Sequence, residues 1–137
     1  MSDNELEFTA RRSMPILPLR GLSVFPGMLL NFDVERPMSV SALNFAMGDD
    51  QIIFLTAQKD ITKDIPFGED IYQVGTVCRI RQLLRQPGNR SIRLMAEGIA
   101  RGRIVDMSVD KPCLYAEIDP LPDEAEIRHR IDEIYTA

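Results

Sequence analysis

From Val74 to Ile104, apolar and polar residues alternate with a period of two on either side of a turn. In "YQVGTVCRIRQLLRQ", Val74, Thr76, Cys78, Ile80 and Leu84 share one face, and Arg79, Arg81 and Arg85 share the other. In "SIRLMAEGIARGRIV", Ile92, Leu94, Ala96, Gly98, Ala100 and Ile104 fall together. Successive side chains of a strand point to opposite faces, so the pattern predicts two half-exposed strands. Pro87 and Gly88 in the intervening "QPGNR" suit a tight turn, which requires the strands to pair antiparallel. Gly98 and Gly102 sit inside the return strand, where glycine permits the bend or bulge of a sheet that curls over.

The flanking text supplies shorter elements. "MPILPL" reads as an extended piece that Pro15 and Pro18 restrict to an edge or a strand end. "MLLNFDV" (28–34) is a second strand. In "PMSVSALNFAM", Pro37 suits a first helical turn, Val40, Leu43, Phe45 and Met47 are broadly helix-spaced, and Gly48 is a stop signal. The continuous apolar run "QIIFLTAQ" (51–58) predicts a strand buried on both faces. "KDITKDIPFGED" (59–70) is a charged loop, and "CLYAEIDPL" (113–121) is a last strand ended by Pro120 and Pro122. Several short strands, one long bent hairpin and one helix predict a mainly β fold with α, a small and partly closed barrel. In the tail, an acidic first turn precedes Ile127, Ile131 and Ile134, the spacing of an amphipathic helix. About 12 helical residues are marginal alone, so this helix is expected to be the truncated start of a helical region. The domain reading is a flexible segment 1–13, a β-domain 14–121 and the start of a helix at 122–137.

"LPLRGLSVFPGMLL" (17–30) fits neither period. Pro18, Gly21, Pro26 and Gly27 break an otherwise apolar run, which makes it a crossover between the first two strands at one end of the barrel. Its apolar residues have two readings. Large aromatics are usually buried, so Phe25 reads first as a plug closing the barrel end. Leu22 and Met28 are evenly balanced between sealing and facing outward, and adaptable methionines suit contact with varied apolar partners.

Composition narrows the class. A chain of 137 residues has room for one compact domain, and 45% hydrophobic with 27% charged residues excludes wholesale disorder. No apolar run approaches the roughly 20 residues of a membrane span, and "MSDNELEFTARRS" lacks a signal-peptide pattern, so a soluble, cytoplasmic chain without membrane contact is expected. A formal charge of −5 argues against nucleic acid as the main partner. Yet Arg79, Arg81, Arg85, Arg90, Arg93, Arg101 and Arg103 fall within 25 positions, which leaves an RNA-binding or protein-binding adaptor as the alternative. No aromatics interleave with them to stack on bases, so a solvated sheet face is favoured over a phosphate track.

Catalytic patterns are missing. The sequence has no GxxxxGK[ST] and no GxSxG, and "EGIARG" lacks the strand-to-helix setting of a dinucleotide motif. Cys78 and Cys113 are 35 apart with no CxxC, and the one histidine, His129, reads as a solvated residue of the tail helix, so no zinc site is expected. A reducing compartment argues against a disulfide, and Cys78 reads as a small buried hydrophobe. Asp49-Asp50 and Glu69-Asp70 are loop carboxylates without the burial that separates acid from base.

"LPLR" followed by "VFPGM", then "TAQKD", "VGTV" with "IRQLL", and "EGIARGRI" stand in order at family spacing. Together they resemble the amino-terminal domain of the Lon protease family, the ATP-dependent serine proteases of protein quality control also called endopeptidase La. The resemblance covers about residues 14 to 121 and continues into the tail. It implies a PUA-like six-stranded pseudo-barrel with one packed helix, and a non-catalytic domain that engages unfolded, damaged or degron-bearing proteins. It further implies self-association in a hexameric hydrolase whose ATP, Mg and Ser-Lys dyad belong to other domains, leaving no cofactor and no metal on this chain. The substrate-binding candidates are then Leu22, Phe25, Pro26, Met28, Arg36 and Met38, with Gly27, Gly75, Gly98 and Gly102 structural. Where family members commonly carry a Gly-Arg-Glu-Lys-Ser stretch, this chain has "ERPMS" (35–39). Arg36 and Ser39 match, while Pro37 and Met38 replace two charged positions and favour a more apolar contact.

Overall fold

The alternation from Val74 to Ile104 folds as the expected hairpin. A computed structural model describes residues 8, 10–20, 24–62, 66, 68–85, 88, 91–108 and 111–121; the expected helix at 122–137 and Leu22 lie outside the described residues. The hairpin strands are β4 (Val74–Arg85) and β5 (Ile92–Ser108). Before them come β1 (Arg12–Leu19), β2 (Leu29–Val34), the helix α1 (Pro37–Met47) and β3 (Ile52–Ala57), and after them β6 (Tyr115–Pro120). The sheet order is β2-β5-β4-β3-β1-β6, and β6 returns to pair with β5. Five strands therefore close a ring, and β2 adds to the first half of β5. The mainly β, six-stranded pseudo-barrel with one packed helix is the architecture present.

Two hydrophobic cores explain this topology. β1 and β3 run parallel, with α1 on the connection between them and packed against both. Their alternating side chains divide between the cores. Leu17, Leu19, Ile53 and Leu55 meet Ala42, Leu43 and Ala46 of α1 in the first, while Met14, Ile16, Ile52 and Phe54 fill the second, inside the ring. Burial of β3 on both faces is what its unbroken apolar run predicts. Pro37 starts α1 and Gly48 caps it, with the Gly48 amide bonded to Asn44 O at 3.2 Å.

Three expectations need correction. β1 is an interior strand, not an edge, because it changes partners midway. It pairs with β6 through Arg12–Pro15 and with β3 through Ile16–Leu19. The Ile16 amide donates to Leu114 O on the β6 side, and Leu19 O accepts from Gln58 on the β3 side. By alternation, the missing N–H of Pro18 faces β6 beyond the end of that ladder, and that of Pro15 faces β3 before its ladder begins. Secondly, Leu84 is 50% exposed, while Leu83 packs on the first core. The register slips between Ile80 and Gln82, and one extra residue exchanges the two faces of a strand. Thirdly, β1 begins at Arg12 and Phe8 is buried against the second core, so the segment expected to be flexible is packed at its end. Arg11 anchors there to Asp119 at 2.6 Å, and Arg12 pairs with Asp50.

Gly75 and Gly102 are cross-strand partners beside Phe54. A Cβ on Gly102 would lie 2.5 Å from Ile118 Cγ2 and 3.3 Å from Phe54 Cε1, and one on Gly75 would lie 2.5 Å from Leu55 O. The bare backbone leaves the room that the Phe54 ring occupies. Gly102→Ala is expected to destabilise the fold by about 1–3 kcal/mol through overpacking. Gly48→Ala meets only ordinary contacts at 3.6 Å or more and should change stability by less than about 0.5 kcal/mol. Urea melts of both variants check the contrast, which equal midpoints would overturn.

The cysteines are free. Cys78 is fully buried in the first core, and burial pushes its thiol up to about 12. Cys113 is half-buried; burial raises its pKa too, partly offset by Lys111. At pH 8 an aromatic disulfide reagent is expected to label Cys113 in the native chain and Cys78 only after unfolding. Two thiols reacting at one rate before denaturation would contradict this burial.

Candidate functional site

The Pro26-Gly27 pair gives the β1–β2 crossover its geometry. Met28 N donates to Phe25 O at 3.1 Å, and Gly27 has φ +87°. Proline at the second position and a left-handed glycine at the third are what a type II turn needs. The turn is bonded to the hairpin on both sides. Gly27 N donates to Gly98 O at 2.9 Å, Gly98 N donates to Met28 O at 2.8 Å, and Thr76 Oγ1 donates to Val24 O at 2.5 Å. A Cβ on Gly98 would collide with Phe25 O, so only glycine lets the crossover sit this close to β5.

Held this way, neighbouring side chains take different roles. Val24 is buried in the first core. Phe25 is 52% exposed, so it is not the plug that its size suggests. Met28 is half-buried, its thioether accepting the Phe25 amide at 3.3 Å. Pro26 is half-buried at the turn. Beside Phe25 lies a cavity of about 360 Å³ lined by Val24, Tyr72, Gly75, Thr76 and Arg101 among others. Tyr72 is 51% exposed on that lining. Its backbone is fixed, since Tyr72 N donates to Ala57 O and Tyr72 O accepts from the buried Thr56 Oγ1 at 2.8 Å. Lys59 Nζ lies 5.6 Å from the Tyr72 ring centroid.

Arg36 and Met38 are not part of this cluster. The Arg36 guanidinium donates to Gln58 Oε1 at 2.7 Å and to Pro18 O at 2.8 Å, tying the start of α1 to β1 and the end of β3. It lines a different cavity, of about 390 Å³, between β1 and β2. Met38 is half-buried against the second core. Of the six substrate-binding candidates, the structure thus brings together Phe25, Pro26 and Met28. Sequence reasoning missed Tyr72, which lies two residues before β4, where no alternation marks an outward aromatic.

The arginine-rich hairpin face is neutralised at two positions, Arg81 and Arg93. Arg81 pairs with Glu97, its Nε donating at 2.6 Å, Arg93 Nε lies 3.3 Å from Asp33 Oδ1, and Arg85 donates to Asn44 Oδ1 at 2.6 Å. Guanidinium groups bound to carboxylates are poor phosphate ligands, because each new contact must break an ion pair. Arg81 and Arg93 are thus less available to a phosphate track. Among the described residues, no cluster of His, Cys, Asp and Glu has the arrangement of a metal site, and no helix is long and apolar enough to cross a membrane. The chemistry this surface offers is non-covalent: an exposed aromatic pair, a small cavity and fixed backbone groups.

Comparison with known proteins agrees with this fold. A family profile for the ATP-dependent protease La (LON) substrate-binding domain matches residues 13–136. The Lon protease of Heliobacterium modesticaldum is 41% identical over 133 residues, which are 97% of this chain and 15% of that protein. The Lon protease of Clostridium acetobutylicum is 48% identical over 111 residues, covering 81% of this chain and 14% of that protein. The chain therefore spans a small part of the length of the curated relatives it matches. The N-terminal domain of Mycobacterium avium complex Lon protease superposes with a TM-score of 0.65 at 18% identity, covering 82% of this chain and 56% of that one. The Lon N-terminal domain protein of Xanthomonas campestris gives 0.61 at 16% identity, covering 82% and 62%. Likeness at such identity speaks to fold, and the profile, which spans the barrel from its first strand to its last, speaks to descent. The chain belongs to the ATP-dependent protease La (LON) substrate-binding domain family.

Proposed function

We propose that this chain is the non-catalytic, client-engaging N-terminal domain of an ATP-dependent Lon protease, and that unfolded or degron-bearing polypeptides bind at the β1–β2 crossover. The observation that carries the reading is Phe25, half exposed on a turn that three hydrogen bonds fix to the hairpin. An aromatic that is already ordered loses little conformational entropy on binding. With Tyr72 on the lining of the same cavity it offers two exposed aromatic anchors to a client side chain. On this reading ATP, Mg and the serine protease chemistry belong to other domains, the chain works in the cytoplasm, and self-association supports a hexamer.

Phe25→Ser tests the site. Binding to a fluorescently labelled, reduced and carboxymethylated lactalbumin is expected to weaken about five- to tenfold, as for an interface hot spot. Its melting temperature should stay within about 2 °C, because the ring is not a core member. Met28→Ala, which empties the space behind the turn, should lower the melting temperature as well. Unchanged affinity in a folded Phe25→Ser chain would remove this site. Sedimentation velocity over a concentration series reads the assembly part, for which a strict monomer is the contrary result.

A further inference from the structure

The strand β2 is bonded to β5 along one side only. Gly98 N donates to Met28 O, so alternation turns the backbone groups of Leu30, Phe32 and Val34 toward β5 and those of Leu29, Asn31 and Asp33 outward. Among the described residues, no strand pairs with that outer side. The edge also lacks the features that normally keep an edge from pairing. "LLNFDV" contains no proline or lysine, its ladder runs without a bulge, and its one charge, Asp33, is held by Arg93. Leu29, 57% exposed, stands at its start, next to the crossover.

Beside this edge lies the cavity of about 390 Å³, with Phe32 and Val34 on one wall and Leu17 and Leu19 on the other. The β1 wall offers no competing ladder, since Pro18 has no N–H and its carbonyl is taken by Arg36. The groove thus has a single pairing edge, and its lining mixes Phe32 and the buried Leu17, Pro18, Leu19 and Val34 with Ser39 and four charged residues. Its charged residues, Arg20, Arg36, Asp33 and Glu35, sum to zero and match an uncharged occupant. A second copy of the chain fits poorly. Its own β2 would bring Leu30, Phe32 and Val34, which already pack on its first core. An unfolded segment has free backbone groups and two free rows of side chains.

We propose that the β2 edge captures an uncharged, extended segment of an unfolded polypeptide by strand addition, with alternate apolar side chains entering the groove between β1 and β2. The backbone of Leu29, Asn31 and Asp33 supplies hydrogen bonds that are blind to sequence, and the half-buried Phe32 supplies an apolar contact in the groove. This rests on the client-engaging reading above and places a second contact on the same domain.

Asn31→Pro is the direct test, since it deletes an outward donor and leaves the β2–β5 ladder intact. Affinity for reduced, carboxymethylated lactalbumin should fall about tenfold, as for loss of a hydrogen bond and its neighbours, and Asn31→Ala should restore it. Amide exchange followed by NMR gives a readout independent of that variant's folding. Adding the probe to the unaltered chain should protect the amides of Leu29, Asn31 and Asp33, which exchange freely without it. Absence of that protection overturns strand addition, as does protection already present in the free chain or rising with protein concentration alone. If Phe25→Ser weakens binding and Asn31→Pro does not, the client site stands and strand addition falls. If neither the edge nor Phe25 matters, both readings fall.

Discussion

A strand of 17 residues has to face two cores at once, and the rest of the molecule is arranged around that demand. Along one side of β5, Ile92, Leu94 and Ala96 belong to the core under α1, while Ala100 and Ile104 belong to the ring interior. The strand turns from one to the other through Gly98 and Gly102. Its partners change at the same place, with β2 on Ile92–Glu97 and β6 on Gly102–Ser108. Because β5 leaves β2 behind at the bend, β2 keeps a free edge and the ring can close without it. The crossover docks on the gap, with Phe25 O pressed against Gly98. A side chain at that glycine would disturb the bend, the crossover and the approach of β2 together.

Much of this was legible in the sequence because period two survives wherever one face is solvated. The hairpin, the doubly buried β3, and α1 between Pro37 and Gly48 all follow from local pattern. The misreadings share one physical cause, namely information held by a partner strand. The prolines of β1 look like edge markers until it is clear that their missing amides fall where one ladder has stopped and the next has not begun. Leu83 and Leu84 cannot be told apart without the register slip after Ile80, which depends on how β4 meets β5.

The candidate site was legible in part. The turn chemistry of Pro26-Gly27 marked the crossover, and its family likeness marked it again. Which residue is buried and which faces outward was not legible, since size favours burying Phe25 whereas the structure buries Val24. The turn decides this: Thr76 pulls the Val24 carbonyl inward, and the next side chain must then point away. Tyr72 and the outer edge of β2 carry no sequence signature. The β2 edge is defined by backbone groups that no strand among the described residues pairs, which only the pairing scheme reveals.

The arginines bear on which kind of ligand the surface can select. A cationic face left free would favour polyanions regardless of shape, and its binding would collapse with salt. Here Glu97 and Asp33 lie across the sheet from Arg81 and Arg93, and the same pairing that neutralises Arg93 also removes the one charge on the β2 edge. Two opposite effects on selectivity follow from one ion pair: polyanions lose one cation of the face, and an uncharged extended chain loses an obstacle. Exposed ion pairs of this kind contribute little to stability. Their larger effect is on which partners the surface excludes, and removing the carboxylate of Asp33 should therefore alter specificity more than it alters the fold.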